Sequence, residues 1–191
     1  IHAVIWTTTP WTLPANRAVC LHPNFIYGLI PLENEYILIA KELADRFLQE
    51  TGLSRTSELI GSFTGSELCS LQIEMIPPFS EKPVPLIYGT HVTLEQGTGA
   101  VHTAPGHGHE DYLVGMNFNL EVFSPVDESG RFTEQSPVCV GQFVEDANKS
   151  ILENLSSRNL LVHQDRLVHS YPHCWRSKKP IIFRATRQWF I

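Results

Sequence analysis

The sequence predicts a β-rich domain with a few helices, barrel-like rather than doubly wound. Three observations carry that expectation. Short runs of β-branched and aromatic residues recur at 25–31 (FIYGLIP), 35–40 (EYILIA), 84–88 (VPLIY) and 99–103 (GAVHT). Thirteen prolines punctuate the 191 residues. Each one fixes φ and lacks an N–H, so prolines favour strand ends and turns over helix interiors. Only two or three stretches keep a helical period. No repeat, low-complexity tract or long linker interrupts the chain, so residues 1–191 read as one domain.

Residues 1–6 are β-rich and read as a strand, and 15–21 as a second short extended piece. The runs 25–31 and 35–40 flank Leu32-Glu33-Asn34, which reads as a hairpin connection. Residues 41–51 place Leu43, Phe47 and Leu48 on one face and are followed by Gly52, the pattern of an amphipathic helix with a C-terminal stop. Residues 61–65 read as a turn-rich link. Strands follow at 72–76, ended by Pro77-Pro78, and at 84–88 and 99–103. Residues 110–118 read as a short helix with Tyr112, Leu113 and Met116 on one side. Residues 127–130 (DESG) read as a turn between 122–123 and 131–132. Ala147, Ile151, Leu152 and Leu155 recur at helical spacing over 145–157. Strands at 160–169 and 180–185 close the pattern.

With 42% apolar and 18% charged residues, the composition is that of a globular protein with a real core. The net charge of −6 disfavours a domain that grips duplex nucleic acid by its phosphates. It does not disfavour one that receives a nucleic-acid end delivered by other domains. Cys20, Cys69, Cys139 and Cys174 are scattered without paired spacing, which points to a reducing, cytoplasmic setting rather than a disulfide framework. No apolar run is long enough for a membrane span, and no signal peptide is present. The chain begins at Ile1 without a methionine and ends on the apolar run 188–191, as a piece cut from a larger protein would.

The most unusual stretch is 6–16 (WTTTPWTLPAN), with four threonines, two tryptophans and two prolines in eleven residues. The prolines keep it extended or turning. Thr7, Thr8, Thr9 and Thr12 would then present hydroxyls from a stiff segment flanked by the indoles of Trp6 and Trp11. Hydroxyls and ring faces are what a nucleoside needs: hydrogen bonds to sugar and base edges, and stacking on the base. The plainer alternative is a threonine-rich edge strand running into a turn.

A second block, 97–111 (GTGAVHTAPGHGHED), ends the strand 99–103 in a loop rich in proline and glycine. His102 lies at the strand end and Asp111 at the start of the next helix, where a carboxylate suits the positive end of the dipole. Such a loop can bring both to one pocket; an edge histidine and an ordinary helix-start carboxylate are the alternative. His107, Gly108, His109 and Asp111 form an H-x-H-x-D run that also fits the start of a dinuclear zinc hydrolase site. His163, His169 and His173 add no recognisable ligand pattern. His173-Cys174-Trp175-Arg176-Ser177 lacks the second cysteine of a zinc ribbon. Gly97-Thr98-Gly99 has no following Gly-Lys-Ser/Thr and is not a phosphate loop. Arg176, Lys178 and Lys179 form a small basic cluster, either a solvated loop or a phosphate contact.

The blocks TTTPWTLPAN and GTGAVHTAPGHGHED resemble the two signatures of the editing domain inserted in isoleucyl-tRNA synthetases, and HSYPHCWR (169–176) resembles the segment where that insert turns back toward the synthetase body. The editing domains of the sister valyl and leucyl enzymes read differently at the first block. The resemblance implies the barrel-like editing fold of the valyl, isoleucyl and leucyl enzymes, and hydrolysis of valyl-tRNA(Ile), with valyl-adenylate as a further substrate. It implies that Asp111 pairs with the α-ammonium of the esterified amino acid. It implies that His102 lines the side-chain pocket and limits its size. Trp6, Thr7, Thr8, Thr9, Thr12, Asn16, Val101 and Tyr171 would contact the terminal adenosine or the amino acid, with Asp111, His102 and Thr8 as the catalytic set. The partners would be the 3′ end of aminoacylated tRNA(Ile), its valine moiety and the remainder of the synthetase. No cofactor belongs to this domain; ATP and Mg belong to the parent enzyme's catalytic body.

Such a site answers a physical limit. A hydrophobic pocket separates ligands differing by one methylene by only about 1–3 kcal/mol, isoleucine and valine being the standard illustration of that limit. A second pocket can exclude the larger ligand by clash and hydrolyse what fits. The ester is already activated, so a positioned water and oxyanion donors suffice. Two rivals remain at this point: a metal-dependent hydrolase using His107, His109 and Asp111, and a non-catalytic module that binds an RNA 3′ end. Within the family, a valyl-enzyme editing domain would instead remove threonine.

Overall fold

The structure is a computed structural model that describes residues 1–166 and 170–189. The chain divides into two compact units. The first comprises Ile1–Thr7 and Asn16–Thr103; the second comprises Thr8–Ala15 and the described part of 104–191.

Among the described residues, all eight strands lie in the first unit. They are β1 (His2–Ala3), β2 (Ala18–Leu21), β3 (Ile26–Pro31), β4 (Tyr36–Ala40), β5 (Ile60–Thr64), β6 (Glu74–Met75), β7 (Val84–Tyr88) and β8 (Ala100–Thr103). One sheet runs β1-β4-β3-β5 and the other β6-β7-β2-β8. The β-rich expectation holds, but as two open four-stranded sheets; among the described residues neither closes into a barrel. Both mix parallel and antiparallel pairs: β1 with β4 and β2 with β7 are parallel. The core takes Leu21 of β2, Tyr27 and Ile30 of β3 and Ile39 of β4, all fully excluded from water. Burying a side chain of this size stabilises by about 1.5–3 kcal/mol.

The hairpin forms as expected, with Pro31 opposite Tyr36 and Leu32 N–H donating to the Glu35 carbonyl at 2.8 Å. A 3-10 turn, Lys41–Leu43, leads into helix α1 (Ala44–Thr51). Leu43 and Phe47 are buried, and Gly52 takes φ +71°, donating its N–H to Leu48, as its stop signal implies.

Several expected elements are shorter or different. The strand expected over 1–6 pairs only at His2–Ala3, and that over 72–76 only at Glu74–Met75. The extended piece over 15–21 reduces to Ala18–Leu21, because Pro10–Ala15 coils as a 3-10 helix. The link expected at 61–65 is instead β5 followed by helix α2 (Gly65–Ser70). Gly61, at φ +77°, lies inside β5, where the pairing with β3 shifts register, so this glycine serves an irregular strand rather than a turn. Thr64 and Glu67 then form a capping box: the Thr64 hydroxyl accepts from Glu67 N–H, and the Glu67 carboxylate accepts from Thr64 N–H at 2.7 Å.

The second unit holds the 3-10 helix Pro10–Ala15, helix α3 (His109–Asn117) and helix α4 (Val144–Ser157). Ala147, Ile151 and Leu155 of α4 are buried, as their spacing predicts. On α3 the side that carries Tyr112, Leu113 and Met116 faces solvent, while Val114 and Gly115 are buried. A Cβ on Gly115 would come within 2.8 Å of Pro105, so α3 packs through its smallest residue. The turn 127–130 is present, Asp127 accepting from Ser129 and Arg131 N–H, but its flanks bridge through Val126 and Phe132 rather than through 122–123. Among the described residues no strand forms over 160–166 or 180–185; His173 and Pro180 form an isolated bridge. Residues 167–169 of the expected strand lie outside the described residues.

Candidate functional site

The structure assigns the singled-out residues to both units. Trp6, Thr7, Asn16, Val101 and His102 belong to the first; Thr8, Thr9, Thr12, Asp111 and Tyr171 belong to the second. The chain passes between the units at Thr7–Thr8, Ala15–Asn16 and Thr103–Ala104, so all three crossings fall inside the two motif blocks.

In the first unit, β8 carries Val101 and His102 antiparallel to β2, with His102 opposite Val19. His102 is buried and Val101 half-buried. The strand is held at both ends. At its start Gly99 takes φ +76°, where a Cβ would meet Ala40, and its carbonyl accepts from the Tyr27 hydroxyl at 2.7 Å. Burial pushes the Tyr27 phenol above its ordinary range. The Thr98 hydroxyl donates to the Val4 carbonyl, and Gly97 leaves room for Trp6. The Gly-Thr-Gly run is therefore a strand clamp, consistent with its failure as a phosphate loop. At the far end Thr103 N–H donates to the Asn16 side-chain oxygen at 3.2 Å, and Arg17 N–H donates to the Thr103 carbonyl at 2.8 Å. Asn16, buried at the end of the threonine-rich stretch, thus holds the strand end that carries His102. Trp6 is 42% exposed and Thr7 half-buried.

In the second unit the threonine-rich stretch coils. Thr12 donates its N–H and its hydroxyl to the Thr9 carbonyl, at 3.0 and 2.8 Å. Trp11 is buried, donates its N–H to the Asn148 side-chain oxygen of α4 at 2.9 Å, and meets the His107 ring edge-on at 4.9 Å. Thr8 is exposed. The loop 104–108 is compact: His107 N–H donates to the Ala104 carbonyl at 2.8 Å, and a Cβ on Gly106 would collide with the Phe123 carbonyl. Asp111, in the first turn of α3, accepts Ala104 N–H on Oδ2 at 2.9 Å. It is half-buried and makes no ion pair among the described residues. A carboxylate so held, with its charge uncompensated, can take a ligand ammonium.

Sequence reasoning missed the supports of this site: Ala104 N–H, Asn148 and the Trp11–His107 contact. Only the A-P-G turn hinted at the first, and no local signal marks Asn148, which is 137 residues from Trp11. Tyr171 is half-buried, and burial, then the Glu145 carboxylate, raises its phenol. Its carbonyl lies 2.7 Å from His173 Nδ1. His169 lies outside the described residues.

The zinc arrangement does not assemble. Among the described residues no three His, Cys, Asp or Glu side chains converge as a metal set would. His107 is buried, with Nδ1 3.1 Å from the Phe183 carbonyl, while His109 is exposed.

No protein-family profile matches the chain. Isoleucine–tRNA ligases do match it end to end: that of Moorella thermoacetica is 52% identical over 98% of this chain, and that of Ruthia magnifica 51% over 100%. That of Petrotoga mobilis is 48% identical over 100%. The chain spans about one fifth of the length of these relatives (20%). Among solved structures, GlLeuRS-CP1 superposes with a TM-score of 0.67 at 16% identity, covering 86% of this chain and 84% of that one. The editing domain of the P. knowlesi cytosolic leucyl-tRNA synthetase superposes with a TM-score of 0.64 at 11% identity, covering 82% and 81%. Half-identical to isoleucine–tRNA ligases along its whole length and folded like these leucyl-enzyme domains, the chain belongs to the isoleucine–tRNA ligase family, as a segment with the editing-domain fold.

Proposed function

We propose that this chain is the proofreading segment of an isoleucine–tRNA ligase and hydrolyses valyl-tRNA(Ile), with no cofactor of its own. Asp111 carries the reading: it is a half-buried carboxylate fixed by Ala104 N–H and matched by no ion pair among the described residues. In the proposed mechanism it receives the α-ammonium of the esterified amino acid. His102, rigid on the clamped β8, sets the size limit that admits valine and rejects isoleucine. The threonine-rich stretch receives the terminal adenosine, with Thr8 offering its exposed hydroxyl. Water attacks the ester carbon, the ribose oxygen leaves with a proton, and valine and tRNA separate.

The test is deacylation of valyl-tRNA(Ile) and isoleucyl-tRNA(Ile) by the full synthetase, wild type against Asp111→Asn and His102→Ala. Asparagine keeps an acceptor for Ala104 N–H and removes only the charge. Loss of a charge-assisted contact of about 1.5–3 kcal/mol slows valyl-ester hydrolysis by roughly 10- to 100-fold. His102→Ala is expected to begin hydrolysing isoleucyl ester. Undiminished hydrolysis by Asp111→Asn would remove the ammonium role; activity lost to a chelator would restore the metal reading.

A further inference from the structure

Charge is segregated along this chain. All twenty acidic residues precede position 166, whereas 166–191 carry six of the fourteen bases and no acid. Within that segment one structured hairpin tip concentrates the charge. Cys174 N–H donates to the Lys179 carbonyl and Lys178 N–H to the Cys174 carbonyl, both at 2.8 Å, and His173 bridges Pro180. Lys178 takes φ +57°, which closes the turn. Trp175 is 74% exposed, with the Arg176 guanidinium 4.7 Å from its ring centroid. Arg176, Lys178 and Lys179 are exposed and make no ion pair with a carboxylate among the described residues. An exposed indole beside three uncompensated cations, on a fixed turn of an otherwise acidic chain, matches the chemistry of a single-stranded polynucleotide: phosphates for the cations, a base face for the ring.

We infer that the hairpin of Trp175, Arg176, Lys178 and Lys179 is an RNA-contacting surface that grips the single-stranded acceptor end of the tRNA. This rests on the proposed editing reading for the identity of the RNA, though not for the contact chemistry. The two contributions separate by salt. Neutralising three phosphate contacts lowers the slope of log K against log salt by roughly 2 for a single strand. Removing the ring lowers affinity without changing the slope.

The experiment is fluorescence anisotropy of the 191-residue chain with a labelled 12-nucleotide RNA ending in CCA, over a salt series. The triple variant Arg176→Gln, Lys178→Gln, Lys179→Gln is expected to lose the slope difference and about 10- to 100-fold in affinity at 0.1 M salt. Trp175→Ala is expected to lose about 5- to 100-fold with the slope kept. A control triple at Lys82, Lys149 and Arg158, equal in charge change, is expected to retain wild-type binding. Equal losses in both triples, or wild-type binding by the hairpin triple, overturns the proposal. So does an unchanged RNA affinity alongside weakened docking to the rest of the synthetase, which would make the hairpin a protein contact. Asp111→Asn separates the two readings. If its hydrolysis defect stands while the hairpin triple binds normally, only the hairpin proposal fails; if hydrolysis ignores Asp111 while the slope changes, only the editing assignment fails.

Discussion

At the residue scale, the side chains around the proposed chemistry are fixed by a few long-range hydrogen bonds. Asn148 holds Trp11 N–H across 137 residues of sequence, and Trp11 is almost fully buried against His107. Asn148→Ala leaves that N–H without its acceptor, a loss of about 1–3 kcal/mol. The expected reading is a melting temperature lower by roughly 2–12 °C, taking about 2–4 °C per kcal/mol for a chain of this size. An unchanged melt would mean that Trp11 is held by packing alone. Asp111 differs in kind: its hydrogen bond to Ala104 serves the loop, and in the proposed mechanism its charge serves the ligand. Asparagine at 111 should therefore melt like wild type while failing in hydrolysis.

At the element scale, α2 shows how a six-residue helix persists. Such a short helix is marginal by itself, and its capping box satisfies two of the N–H groups that a helix start leaves unpaired. The Glu67 carboxylate is held below its ordinary range by Thr64 N–H first and the Thr64 hydroxyl second. A depressed carboxylate stabilises fully above its unfolded value, about 4.3, and that contribution disappears as pH falls through the lower folded value. Thr64→Ala is therefore expected to be less stable than wild type near neutrality, by about 1 kcal/mol for the lost cap. The gap should narrow below pH 4. The backbone N–H at position 64 still donates to Glu67 in the variant, so parallel pH–stability curves would show only that the hydroxyl contact contributes nothing.

At the scale of the whole molecule, the first unit depends on one buried phenol that joins its two sheets. Tyr27 of β3 is excluded from water, accepts His22 N–H at 2.9 Å beyond β2, and donates to the Gly99 carbonyl ahead of β8. Tyr27→Phe keeps the ring and deletes both bonds, at about 1–3 kcal/mol for each group left unmatched. The expected outcome is a clear drop in the denaturant midpoint, with faster hydrogen exchange at Ala100–Thr103, the strand that carries His102. Lost stability without faster exchange there would separate the clamp from the strand. Above this scale lies the charge segregation along the sequence: every acidic residue precedes position 166, and the final segment carries only bases.

Local signals determined much of this protein by themselves. The hairpin β3–β4, the stop at Gly52 and the α4 core face at Ala147, Ile151 and Leu155 follow from periodicity and turn chemistry, which act over a few residues. The motif blocks likewise identified the family, because the residues a site requires are present in sequence whether or not their supports can be seen. Only the tertiary structure decided which side of α3 is packed, since Gly115 against Pro105 outweighs three larger apolar side chains in closeness of approach. Only it turned 61–65 into a strand and a helix, through pairing with β3. And only it showed that Asn16 holds Thr103, that Ala104 holds Asp111, and that the histidines of the apparent zinc run part company, one buried and one in solvent. The first two share a reason: a backbone N–H has no sequence signature, and its partner is chosen by the fold.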